Sequence, residues 1–552
     1  MKNLLQIVIF TTLLISLASC NREFKPKSIK HVVVIGIDGM SVGGLIKANT
    51  PNFDKYIKNG AHNFHTRDVM PTVSSPNWTA MLTGSYVAQT GVTSNDWRYN
   101  NYNLPPVVTT ENGRYPDIFY AIKKSNPQLT TASVYHWSGF GNLYDHKNVD
   151  FDFDTDGEVA TADKVAELIK SEKPNFTFVQ IDHVDGAGHH FGHMTEGYFK
   201  SVELADSLSG IIVEATKEAG IFDQSLFIIL ADHGGHGYDH GHETVQGNEV
   251  PFILYGSSIK KDYQIPTAVN VMDVAATSAF ALDVKRPQVW VSRPVVNAFL
   301  NSPKPDPETL MGQFMASSAY VPVIKPRDKD GSSGGLYIGK KAMVSIESAG
   351  TSGEIRYTLD GTIPSKQSKL YTEAFELDYT AVVKATYFGN DGSQSAFSSG
   401  YFRVVEQVKE NTGVNYQLYK GENWSKLPNF NALKPIEIGK TFEMATDAFK
   451  EKIGSYTALV FDGYLNIENE GEYIFATRSD DGSKLYINEI EVVNNDGDHG
   501  VQEKEGSINL SKGKHKIRVE YFNGGGGFFL SSSYSGPGIP KQIISPDRLS
   551  IN

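Results

Sequence analysis

Three short stretches carry almost nothing but apolar side chains: Val32-Val33-Val34-Ile35-Gly36-Ile37, Phe176-Thr177-Phe178-Val179-Gln180-Ile181 and Leu226-Phe227-Ile228-Ile229-Leu230-Ala231. Continuous β-branched runs of this length predict central parallel strands buried on both faces. Between them, Thr161 to Ser171 and Gly197 to Ala219 repeat apolar residues at helical spacing, as at Val202, Ala205, Leu208 and Ile212. The alternation predicts an α/β domain over 31–300, a mostly parallel sheet with helices on both faces. Beyond Asn301-Ser302-Pro303-Lys304-Pro305-Asp306-Pro307 the helical period fades. After this linker (301–315), short alternating stretches closed by Gly, Asn and Asp predict two all-β modules, 316–405 and 413–552.

Composition fits this division. A chain of 552 residues is expected to hold three or so domains. Its 51 Lys and Arg face 63 Asp and Glu, and the net charge of −12 with no basic stripe argues against capture of nucleic-acid polymers. A single cysteine excludes an intrachain disulfide. That cysteine closes an N-terminal export-signal pattern: Lys2 and Asn3, an apolar run from Leu4 to Leu17, then Leu17-Ala18-Ser19-Cys20, which resembles a bacterial lipobox. The apolar run is short for a membrane span. Residues 1–19 are therefore expected to be a lipoprotein signal peptide, Cys20 a lipid anchor at the periplasmic or cell-surface side, and 20–30 a tether.

The candidate chemistry follows the strands. In open α/β sheets ligands bind beyond the carboxyl ends of strands. Asp38 directly follows the first run, Asp185 and His189 come soon after the second, and Asp232-His233 follows the third, succeeded by a glycine- and histidine-rich segment holding His236, His240 and His242. Imidazole nitrogen and carboxylate oxygen together suit borderline divalent metals. Between the first two runs, Ser74-Ser75-Pro76-Asn77 offers hydroxyls where a helix begins, with Pro76 in its first turn and Ser74 or Ser75 at its cap. The positive end of a helix dipole favours an alkoxide and a phosphate or sulfate anion alike.

These motifs resemble the type I phosphodiesterase and nucleotide pyrophosphatase branch of the alkaline phosphatase superfamily. The resemblance is carried by Ile37-Asp38-Gly39, Thr50-Pro51-Asn52-Phe53, Pro71 to Asn77, Leu82-Thr83-Gly84, Gly91 to Asn95, the Asp185 and His189 pair, and Asp232-His233-Gly234. It implies a metal-dependent hydrolase of phosphate diesters with Ser74 as nucleophile, Asn95 on a phosphate oxygen, and two Zn²⁺ or other divalent ions. One ion falls to Asp38, Asp232, His233 and the Ser74 oxygen, the other to Asp185, His189 and a later histidine, taken as His240 with His242 and His236 as alternatives. Many members carry threonine where this chain has Ser74, which leaves phosphomonoester, phosphonate and sulfate ester hydrolysis as alternatives. Sulfatases carry an arginine where Trp78 stands, and Arg98 and Arg114 are the nearest candidates for a cation that would bind a monoester.

The C-terminal modules carry resemblances of their own. Gly353 to Ser365, with Asp360-Gly361 as a hairpin signal, and Val382 to Thr386 are similar to the small β-sandwich at the C-terminus of chitobiases and hexosaminidases, expected to act as a spacer. Residues 413–552 resemble a PA14 domain through Phe461-Asp462-Gly463-Tyr464-Leu465, Gly471 to Phe475 and Ser479 to Ile487. In that family paired aspartates can hold Ca²⁺ and a glycan, which falls on Asp480 and Asp481; a tight turn is the alternative role. Phe528 and Phe529 are expected in a strand core. The rival to a tethered hydrolase is a glycan-capturing surface lipoprotein with a degenerate hydrolase head.

Overall fold

The computed structural model describes residues 24–26, 29–241, 243–312, 316–327 and 332–552. The export signal, Cys20 and His242 lie outside them. Among the described residues no helix is long and apolar enough to cross a membrane.

The first domain is built on an eight-stranded sheet. Its strands are β1 (His31–Ile37), β2 (Ala61–Arg67), β3 (Thr131–Tyr135), β4 (Phe151–Asp154), β5 (Phe176–Ile181), β6 (Ser225–Leu230), β7 (Glu249–Tyr255) and β8 (Tyr263–Gln264). They lie in the order β4-β3-β5-β1-β6-β7-β2-β8. The three apolar runs form the centre: β1 pairs in parallel with β5 and with β6, and every residue of the three strands is buried. One side of the sheet departs from parallel, because β7 runs antiparallel to both β6 and β2. The predicted crossover helices are Glu158–Ser171 and Glu196–Glu218, which pack on each other. Helix Ser74–Thr83 packs against Asp273–Ala281 and Ile118–Ser125 instead.

Among the described residues one hydrophobic core lies within 32–299 and one within 324–404, while 414–549 holds a main core and a smaller cluster around Tyr419, Phe430 and Phe522, so no core spans two units. The middle unit pairs a five-stranded with a three-stranded sheet, and the last a seven-stranded with a four-stranded sheet. Asp360-Gly361 does not close a tight hairpin. Asp360 bridges to Val382 and its Oδ1 accepts from the backbone and hydroxyl of Thr362, so the pair opens a wide loop between Gly353–Thr358 and Lys369–Leu370. The start of the 316–405 module is tied to the first domain: buried Glu249, at the start of β7, accepts from Ser317 Oγ at 3.1 Å and from Ser318 N at 2.6 Å.

Candidate metal centre

The carboxyl ends of β1 and β6 bring together Asp38, Asp232 and His233, all fully buried. Asp38 Oδ2 accepts from the Trp78 indole N–H at 3.1 Å and from the Gln180 amide at 3.3 Å. The indole reaches it by lying across β1 at Gly36, where a Cβ would fall 2.4 Å from the ring. Asp232 Oδ1 accepts from Gly39 N at 3.1 Å. Each carboxylate keeps one buried oxygen, Asp38 Oδ1 and Asp232 Oδ2, with no hydrogen-bond partner. His233 Nε2 stands 3.4 Å and 3.3 Å from those two oxygens and 3.3 Å from Ser74 Oγ.

The second group stands on a helix and a turn. Asp185 and His189 share one face of helix His183–Phe191 at i, i+4 spacing, with Nε2 3.2 Å from Asp185 Oδ2. His240 Nε2 approaches Asp185 Oδ1 to 3.7 Å, and that oxygen too is buried and without a hydrogen-bond partner. The groups join at Asp185: it presents donor atoms within 4.8 Å of Asp38 and His233 and, separately, of His189 and His240. Gly39 permits this approach, since a Cβ there would fall 2.7 Å from Asp185 Cα and its φ is +69°. The His233 and His240 rings stack at 3.9 Å.

All three imidazoles are oriented alike. Nδ1 of His233, His189 and His240 faces the backbone carbonyl of Gly234, Tyr238 and Thr72 at 2.9, 2.8 and 3.0 Å. With Nδ1–H donating to a carbonyl, the outer-shell arrangement common to metal-ligating histidines, the Nε2 lone pairs of His233 and His240 are left for a cation, and at His189 a cation would displace the Nε2 proton shared with Asp185. Burial pushes the carboxyls of Asp38 and Asp232 well above the ordinary range, with added repulsion from Asp232 on Asp38 and from Asp185 on Asp232. Burial likewise disfavours charge on Asp185, yet the hydrogen bond from His189 and the neighbouring imidazoles more than offset it and hold Asp185 low. His189, against its own burial, is raised to about 9 by Asp185. Burial and His240 keep His233 well below its usual value. Crowded buried acids, three orphaned carboxylate oxygens and three aligned Nε2 atoms fit divalent cations with mixed nitrogen and oxygen ligation.

Ser74 is buried at the first position of helix Ser74–Thr83. It does not cap the helix. Val73 occupies the cap with extended backbone and no side-chain bond. Ser75 N donates instead to Asn95 Oδ1 at 2.8 Å, which sets Asn95 against the helix start. His236 is exposed and forms a turn with Asp239, outside both donor groups. Arg98 and Arg114 donate to backbone carbonyls, of Asn95 and Trp97 and of Asn142 respectively. In the last domain, Asp481 accepts from His499 N at 2.9 Å and Gly524 N at 2.7 Å. These two bonds join loops distant in sequence. Asp480 ends strand Gly471–Asp480, where burial and Asp481 raise its carboxyl to about 6. Phe528 packs against the core of that domain, but Phe529 faces Tyr238 of the first domain, rings 6.4 Å apart.

Trp78 and Gln180 are contributors the sequence reading missed. Gln180 carried a signal, as the one amide in an otherwise apolar buried strand. Trp78 did not announce its indole bond.

Sheet and site together define an α/β domain with a candidate two-metal centre. Residues 32–252 match the type I phosphodiesterase / nucleotide pyrophosphatase family, residues 332–399 the chitobiase/beta-hexosaminidase C-terminal domain and residues 410–548 the PA14 domain, in agreement with the three resemblances read from the motifs. Among curated relatives, the chain is 27% identical over 227 residues to ectonucleotide pyrophosphatase/phosphodiesterase family member 3 of Rattus norvegicus, covering 37% of this chain and 24% of the relative. It is 26% identical over 219 residues to the venom phosphodiesterase CdcPDE of Crotalus durissus collilineatus, covering 37% and 26%. The chain thus spans about a quarter of the length of these relatives. A solved murine ectonucleotide pyrophosphatase / phosphodiesterase 5 aligns with TM-score 0.38 at 16% identity, covering 47% of this chain and 96% of that one.

Proposed function

We propose that the first domain is a phosphodiester hydrolase with Ser74 as nucleophile. The observation that carries this reading is the convergence of three orphaned carboxylate oxygens and three imidazole Nε2 atoms beside one buried serine hydroxyl at a helix start. Asp38, Asp232 and His233 would hold one cation and Asp185, His189 and His240 the other. Zn²⁺ suits the donors best. Bound there, divalent cations lower the pKa of the hydroxyl and neutralise charge on the phosphoryl oxygens. Ser74 Oγ attacks phosphorus in line, one alcohol leaves, and water then hydrolyses the phosphoserine, releasing a phosphomonoester and restoring the hydroxyl. The helix dipole at Ser74 favours both its alkoxide and the substrate anion. Asn95 is proposed to turn its amide toward a phosphoryl oxygen. Arg98 and Arg114 direct N–H groups to backbone carbonyls rather than to Ser74. Outside the first domain, lipid anchoring through Cys20 and glycan or Ca²⁺ binding by the PA14 module extend the same reading to a tethered surface enzyme.

One preparation assayed with bis-p-nitrophenyl phosphate, p-nitrophenyl phosphate and p-nitrophenyl sulfate, with and without chelator, tests it. Diester turnover that chelator abolishes is expected. A metal-loaded protein inert toward all three, yet retaining glycan, would contradict it and favour the capture lipoprotein.

A further inference from the structure

The two donor groups are supported unequally. Asp38, Asp232 and His233 stand at ends of central strands, but His240 and the carbonyl that orients His189 both belong to the turn 236–240. Within the turn, His236 N donates to Asp239 O at 2.9 Å and Asp239 N returns to His236 O at 3.3 Å. Its first-domain supports include His193 N on Gly237 O at 2.6 Å, the bonds of His189 and His240 to Tyr238 O and Thr72 O, and the stacking of His240 on His233. Further support comes from the far end of the chain. Arg478, on strand Gly471–Asp480, lies so close over Gly237 that a Cβ there would fall 2.8 Å from Nη2. Phe529, on the adjacent strand Phe529–Gly536, stands beside the Tyr238 ring. The Arg478 guanidinium is itself 5.7 Å from the centre of the Phe529 ring, so the two form one platform under the turn.

We propose that the PA14 module is a positioning element of the metal centre: Arg478 and Phe529 hold the 236–240 turn in the conformation that presents His240 and, through Tyr238 O, orients His189. This rests on the two-metal reading of the site. Neither side chain is a metal ligand. Their action runs through the backbone of the turn rather than through a bond to either cation.

The test compares the full-length wild type with Arg478→Ala/Phe529→Ala, and with Glu443→Gln as control. Glu443 pairs with Arg403 across the contact between the two C-terminal modules, so the control loosens domain packing while keeping both platform side chains. Two readouts are needed. Hydrogen exchange of the 236–240 amides in metal-free protein is expected to quicken about tenfold in the double variant and not in the control. Zinc content after dialysis against graded chelator is expected to fall from two ions to one per chain at about tenfold lower chelator in the double variant alone. Phe529→Tyr, which keeps a ring beside Tyr238, is expected to retain wild-type behaviour. Wild type with two ions and a double variant of unchanged exchange or unchanged zinc retention overturns this inference alone. Wild type that takes up no zinc overturns the reading of the site, and the inference with it.

Discussion

The two halves of the centre solve the same problem with different materials. Asp38, Asp232 and His233 follow the ends of buried strands whose register to β5 and β6 is set over six residue pairs each. The His189 side chain is 45% exposed, and its group depends on one helix face and one turn. Strand ends deliver ligands with little freedom but at a desolvation cost, visible in the raised carboxyls of Asp38 and Asp232. A turn costs less to hydrate and is held less firmly. The buried half is therefore expected to retain its cation, and the turn-borne half to exchange.

The largest effect should come from the hydroxyl beside His233. Ser74→Ala is expected to lower diester turnover by at least about a thousandfold while both ions stay bound, which elemental analysis beside kinetics will show. Next, His240→Ala should empty only the turn-borne half, whereas Asp232→Ala should cost the ion beside Ser74; stoichiometry by inductively coupled plasma spectrometry separates these outcomes. Equal losses from both variants would erase the distinction drawn here. Smaller is the effect of removing the bonds behind Asp38. Gln180→Leu and Trp78→Phe should each weaken zinc binding by roughly ten- to a hundredfold, read by competition with a chelating dye.

A pH series sharpens the contrast further. The folded-state pKa values of Asp38 and Asp232 are raised, so without metal the fold favours their protonated forms and loses stability as rising pH ionises them. Zinc binds the ionised forms. The gain in Tm on adding zinc should therefore be larger at about pH 8 than at about pH 5.5, as differential scanning calorimetry would show. A gain independent of pH would deny these acids the role of ligands.

How much of this was legible depended on distance along the chain. β1, β5 and β6 could be read because both faces are buried and apolar identity repeats without interruption. β2, Ala-His-Asn-Phe-His-Thr-Arg, could not, since its polar residues are accommodated by an antiparallel partner and a register shift. Asp38, Asp232 and His233 were visible at strand ends, and Asp185 and His189 by their place soon after β5, whereas the helix that sets them on one face carried no such signal. The Trp78 indole bond, the carbonyls of Thr72 and Tyr238, and the seat of Phe529 on another domain are tertiary facts without local signature. A cap at Ser74 or Ser75 fits the local pattern, but extended Val73 takes that position and places both hydroxyls inside the first turn.

Anomalous diffraction at the zinc edge from crystals of the full chain addresses the central claim directly. Two peaks flanking Ser74 Oγ are predicted, one contacting Asp38, Asp232 and His233, the other Asp185, His189 and His240. A featureless map at that position, or zinc bound only at other residues, would contradict it.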